Sequence, residues 1–154
     1  MKKTLFAIIF LLIFGLSFVQ AQQVHIVGSD GDLVDHLRGH FDAVYWLNGR
    51  RTVLPKRGAS AGANAIAVSD SNVHIVGHDG TELNTDAVYW LNGRQTVLPK
   101  IGDSATANAI AVSGSNVYIV GNDGDDAVYW LNGRRTVLPK LGENAQANAI
   151  VVTP

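Results

Sequence analysis

Asp42-Ala-Val-Tyr-Trp-Leu-Asn-Gly-Arg50 decides the reading of this chain, because the same nine residues stand unchanged at 86–94 and again at 126–134. The register holds around each copy. Thr52-Val-Leu-Pro-Lys56 recurs at 96–100 and 136–140, and Ala63-Asn-Ala-Ile66 recurs at 107–110 and 147–150. Successive copies are offset by 44 and then 40 residues. A period of this length marks stacked supersecondary units and outweighs any single-residue motif. Near-identity also points to recent duplication, so sameness among the copies does not by itself mark a residue as functional.

Each unit reads as four short strands. Val73-His-Ile-Val-Gly77 is a β-branched run, residues 87–91 mix aromatic and aliphatic side chains, and Asn92-Gly93 is a strong hairpin signal. Thr96-Val-Leu98 follows and stops at Pro99. Ala109-Ile-Ala-Val112 is the fourth run, joined through Ser113-Gly-Ser-Asn116 to the next Val117-Tyr-Ile-Val-Gly121. No helical period stands out after residue 21. Val44-Tyr-Trp-Leu47 is apolar on both faces, as expected of sheets covered on both sides. The expected fold class is therefore all-β, with three four-stranded repeats at about 24–68, 69–112 and 113–154.

Two architectures suit that pattern. A β-trefoil takes three units of about 40 residues, whereas a propeller usually takes about 4 to 8 blades, so the count favours a trefoil. Side-chain size favours propeller-like blades. Ala63, Ala65 and Ala67 would share one face of their strand, and small residues suit an inner strand crowded near a propeller axis.

Composition narrows the class further. At 154 residues, with 47% hydrophobic and 16% charged residues, the chain is too apolar for a disordered tail. It has no Cys, which removes disulfide scaffolds, thiolate metal sites and cysteine nucleophiles. Met1, Lys2 and Lys3 precede an apolar run over residues 5–18, and Val19-Gln-Ala21 offers small residues for a signal peptidase. The run falls short of the roughly 20 residues that cross a bilayer as a helix. The expectation is a signal peptide over residues 1–21 and an exported protein, secreted or periplasmic. Removing 21 of the 154 residues leaves 133 and takes two lysines but no acid, giving 10 basic against 13 acidic residues. Without disulfides, packing or assembly must supply the stability.

The string Trp130-Leu-Asn-Gly, Thr136-Val-Leu-Pro-Lys-Leu-Gly142 and Ala147-Asn-Ala-Ile150 resembles the extracellular HAF-type repeat. Together with residues 107–121, it is also similar to the propeller-like repeats with a YWxNG core found in exported Bacteroidetes proteins. The resemblance covers residues 24–152. It implies repeat architecture and export far more than any activity, and such proteins usually carry more units than three.

The phase of the repeat raises the question of closure. If Ala-Asn-Ala-Ile opens a blade, the domain over 22–154 begins with the last three strands of one blade and ends with a lone first strand at 147–152. A homodimer that exchanges these ends would close a six-bladed ring and cover edges rich in Val and Ile.

The connection between the second and third strands is the one that changes length: 14 residues over 29–42, nine over 78–86 and five over 122–126. Insertions confined to one equivalent loop map to one face of a repeat protein, commonly its binding face. These loops hold 10 of the 13 acids. Asp30, Asp32, Asp35, Asp79, Glu82, Asp123 and Asp125 are the candidate ligand-binding residues, for a protein or glycan partner. Arg50, Arg51, Arg94, Arg134 and Arg135 follow the Asn-Gly turns, which would place positive charge on the opposite rim.

Other chemistries find less support. Asp30-Gly-Asp32 and Asp123-Gly-Asp-Asp126 lack the twelve-residue EF-hand pattern, so no metal or other cofactor is expected. His25 and His74 occupy the strand position of Tyr118, and His36, His40 and His78 form no closed zinc set. Tyr45-Trp46, Tyr89-Trp90 and Tyr129-Trp130 could form sugar-stacking platforms of a lectin or adhesion module, but aromatic anchors between repeats are the stronger reading. No Gly-x-Ser-x-Gly elbow, phosphate loop or His-Glu-x-x-His motif is present, so an enzyme is not expected. The acidic balance and the leader disfavour nucleic acid.

Overall fold

The computed structural model describes residues 22–33, 39–81 and 83–153. The candidate signal peptide, Asp35 and Glu82 lie outside the described residues. Among them the chain is all-β, and no helix is long and apolar enough to cross a membrane.

Among the described residues, eleven strands form three separate antiparallel sheets, each a meander of consecutive strands. The first holds β1 (His25–Leu33), β2 (Gly39–Leu47) and β3 (Arg50–Val53). The second holds β4 (Ser60–Ser69), β5 (Asn72–Gly80), β6 (Thr85–Leu91) and β7 (Arg94–Val97). The third holds β8 (Ala105–Ser113), β9 (Asn116–Asp123), β10 (Asp126–Leu131) and β11 (Arg134–Val137). The Asn-Gly dipeptides set the register as their chemistry requires. Asn48, Asn92 and Asn132 have φ near +50°, and the glycines after them lie at +82°, +82° and +81°. Two left-handed residues in succession make the tight turn that matches strand twist. Each turn Asn also accepts an amide from the start of the neighbouring strand, at 2.8–2.9 Å from Val24, Val73 and Val117.

The core lies between sheets. Ala43 and Leu54 of the first sheet meet Ala61, Ala63, Ile75, Val88 and Trp90 of the second. The same positions one repeat on, Ala87 and Leu98 with Ala105, Ala107, Ile119, Val128 and Trp130, build the junction between second and third. Every sheet thus offers an Ala/Leu face forward and an Ile/Val/Trp face backward, which explains the doubly apolar strands.

Two expectations need correction. The alanines at 63, 65 and 67 do not share a face, because the β4 register shifts between Ala63 and Ala65, which stand opposite the consecutive residues Gly77 and Val76. The inserted residue is Asn64. A bulge re-aims its side chain, and Asn64 Nδ2 donates to Ala107 O on β8, 2.9 Å away. The bulge brings backbone so close to Gly77, and at the next repeat to Gly121, that a Cβ there would overlap the carbonyl oxygens of Gly62 and Thr106. Second, residues 147–152 form no strand. They lie beside β8, where Asn108 Nδ2 donates to Ala147 O at 3.0 Å, without a neighbouring edge to complete a ladder.

Candidate functional site

The acids singled out in the sequence gather at the sheet ends opposite the Asn-Gly turns, but most lie on strands. Ladder pairing continues past the expected loop boundaries and sets Asp30 opposite Asp42, Asp79 opposite Asp86 and Asp123 opposite Asp126. Like charges directly opposed destabilise a sheet unless something divides them. Here two different partners do.

Asp42, Asp86 and Asp126 each take a lysine from the chain leaving their own sheet: Lys56, Lys100 and Lys140, all at 2.8 Å. Each ammonium also donates to carbonyls on both sides of it, as Lys56 does to Phe41 O and Ala59 O. Lys140 likewise binds Asp125 O and Glu143 O. The lysine hydrogen bond holds the Asp42 and Asp126 carboxyls below the ordinary carboxylate value, with slight burial opposing it and Arg51 or Arg135 adding attraction.

The other member of each pair reaches across a junction. Asp79 is buried and accepts the amides of Arg57 and Gly58 at 2.6 and 2.8 Å, from the loop that precedes its sheet, and Gln95 Nε2 at 2.8 Å. Asp123, also buried, accepts Ile101 N and Gly102 N, both at 2.8 Å, and forms an ion pair with Arg135 Nε at 2.6 Å. A carboxylate holding two backbone amides is a strong, geometrically specific clasp. Asp30 pairs with Arg51 at 2.6 Å and its side chain is 49% exposed. Asp32 and Asp125 are exposed.

Of the sequence-selected residues, Asp79 and Asp123 are therefore drawn into junctions, Asp30 is half open, and Asp32 and Asp125 face solvent. The arginines are not segregated from them. β3 and β11 run back from the turns toward the acidic end, so Arg51 and Arg135 reach Asp30 and Asp123, and the three lysines already stand there. The face is a mosaic of both signs. Beside the second junction a cleft of about 420 Å³ lies between Gly102, Asp123, Asp125, Arg135 and Lys140.

Sequence reasoning missed the amides of residues 57–58 and 101–102 and the bridging Asn64 and Asn108. A recurring Asp after the Ile-Val-Gly run, and a recurring Gly two residues after Pro-Lys, were the available signals. The tryptophans act as junction anchors. Trp90 Nε1 donates to Pro55 O at 2.9 Å and Trp130 Nε1 to Pro99 O at 2.8 Å, with both residues fully buried, which leaves no ring face for a sugar. Trp46 is half-buried. His25 and His74 engage Tyr45 and Tyr89 through 2.7 Å contacts to the hydroxyls. Among the described residues no three His, Asp or Glu side chains gather to hold a metal ion.

His78 sits beside Asp79 with a buried Nδ1 that has no partner. Burial pushes its pKa below the usual 6.5, against the opposing pull of Asp79, and burial lowers that of His74 as well. Above the unfolded value both states are neutral and nothing is gained or lost. Below it the unfolded chain takes up protons that the folded form resists, so stability declines as pH falls from about 6.5 through the lowered folded value. Thermal melts should show Tm falling over that range. His78→Asn, which installs the residue found at Asn122, should flatten the slope; an unchanged slope would remove His78 as its source.

No protein-family model matches this sequence, and no curated protein matches it.

Proposed function

We propose that the protein is an exported, noncatalytic binding or scaffold module whose three sheets are propeller-like blades, with a partner held on the end where the acids lie. One observation carries this reading. The hairpins β1–β2, β5–β6 and β9–β10 keep one register and the Asn-Gly turns one geometry, while the connections that follow β1, β5 and β9 differ in length, and those strands end beside the paired acids. A rigid frame that varies its connections on one face is how repeat proteins present a binding surface. The buried acids are committed to holding the frame, which leaves Asp32, Asp125 and the connections themselves to meet a partner.

Charge reversal of the two exposed acids tests it. The double variant Asp32→Lys, Asp125→Lys alters no junction contact, so its melting curve should match the wild type. In pull-downs from cell-envelope and culture fractions, a partner retained by the wild type should be weakened about tenfold or more in the variant, a change of roughly 1.4 kcal/mol. A partner held equally by both proteins would place binding elsewhere. A glycan array probed with the same two proteins tells a sugar ligand from a protein one.

A further inference from the structure

The two ends of the repeat array carry unmated halves of the junction that the interior uses twice. Both internal junctions share two polar fasteners: an Asp accepts two loop amides, and a Trp indole donates to a Pro carbonyl. Between the second and third sheets a bulged Asn also donates to the next inner strand. At the start of the array, no loop amide among the described residues reaches Asp30, and Trp46 is only half-buried. Ile26 is 51% exposed, although Ile75 and Ile119 at the same repeat position are each 1% exposed. Among the described residues, the outer edge of β1 has no partner strand. At the other end, Leu138 is half-buried where Leu54 and Leu98 are buried, Leu141 is fully exposed, and residues 147–152 join no strand ladder, although Ala147 bonds to Gly121 O and Asn108.

We propose that two copies of this chain join head to tail into a closed ring of six sheets, with residues 147–152 of each copy adding to the free β1 edge of the other. The inference rests on the propeller-like reading of the sheets. Its register follows from the internal pairs Ala63–Gly77 and Ile66–Ile75: Ala147 falls opposite Gly28, and Ile150 opposite Ile26. Asp30 then accepts the amides of Leu141 and Gly142, and Trp46 donates to Pro139 O. The contact is heterologous, so it must either close or run on into a filament. Each copy contributes the three described sheets, so two copies make six, within the roughly 4 to 8 that propellers accept.

Gly28 supplies a selective test. Within one copy, a Cβ at Gly28 would meet only the Trp46 ring edge, no closer than 3.4 Å, so alanine fits there. At the equivalent Gly77 and Gly121 the inner strand's backbone leaves no room for it. Light scattering and sedimentation of the purified protein at micromolar concentration should give twice the chain mass. Gly28→Ala should give a single-chain mass with an unchanged far-UV CD spectrum. A chain ending at Gln146, which keeps every strand described above, should also be monomeric, and it stands in if Gly28→Ala does not fold. An excess of a peptide spanning residues 145–153 should convert the wild-type dimer to monomer. A wild-type monomer, a larger oligomer, or a dimer that survives both variants and the peptide would overturn the proposal. None of these changes touches Asp32 or Asp125, so failure here leaves the partner-binding test intact, and failure there leaves the ring intact.

Discussion

Asp123→Ala should destabilise the protein by about 3–5 kcal/mol, the range found when one member of a buried ion pair is removed. The loss has three parts. Arg135 keeps a largely buried guanidinium with no counter-charge, and the amides of Ile101 and Gly102 lose their acceptor. Each orphaned donor costs on the order of 1–3 kcal/mol when it stays buried, though water reaching the nearby cleft would recover part of it. The expected readout is a drop in Tm on the order of 10 °C or more. Asp79 offers an internal comparison, because it makes the same two amide bonds with Gln95 in place of an arginine. Arg135→Gln should therefore be tolerated far better than Asp123→Ala. If the two variants were equally damaging, the ion pair rather than the amide clasp would be the principal fastener.

Trp90→Ala should be of similar size, about 3–5 kcal/mol, because it removes the largest side chain of the first junction from a fully enclosed site. The packing term dominates. The hydrogen bond to Pro55 O contributes only about 1 kcal/mol, so Trp90→Phe should recover most of the stability. Urea titration followed by far-UV CD would read both. A Trp90→Ala protein that melts like the wild type would contradict the role of tryptophan as the anchor between sheets. Comparison with Trp46→Ala adds information: in an isolated chain Trp46 is half-buried and should cost less, whereas in a closed ring the two variants become equivalent.

Much of this architecture was legible because it is locally encoded. Asn48-Gly49 and its two copies specify the hairpin through backbone geometry alone, and Pro55, Pro99 and Pro139 end their strands because proline donates no ladder bond. The paired apolar faces of residues 44–47 foretold sheets covered on both sides. What stayed hidden depends on partners one repeat away. Asp79 and Asp123 precede glycine and so look like turn acids, yet the groups that fix them are the backbone amides of residues 57–58 and 101–102, which carry no side-chain signal. Asn64 breaks a run of small apolar residues and marks a bulge, but only the neighbouring sheet reveals why an amide stands there. Arg51 and Arg135 follow a turn at one rim, and their place in the sequence points to that rim. The reach of an arginine along a strand that runs back toward the other rim carries them to the acids instead.

Residues 147–152 copy the composition of β4 and β8, but composition cannot form a ladder without an edge to pair with. In the proposed ring, the same segment supplies the strand that the β1 edge of a second copy takes up. Asp30, half-exposed beside Arg51, is positioned to take the two amides that its counterparts already hold.

Amide hydrogen exchange at Leu141 and Gly142 therefore bears most directly on how these sheets are joined. If Asp30 of a second copy clasps them, both amides should exchange as slowly as Ile101 and Gly102, and should lose that protection on dilution below the dimer dissociation constant or in Gly28→Ala. Rapid, concentration-independent exchange at Leu141 and Gly142, with Ile101 and Gly102 still protected, would contradict closure through this junction.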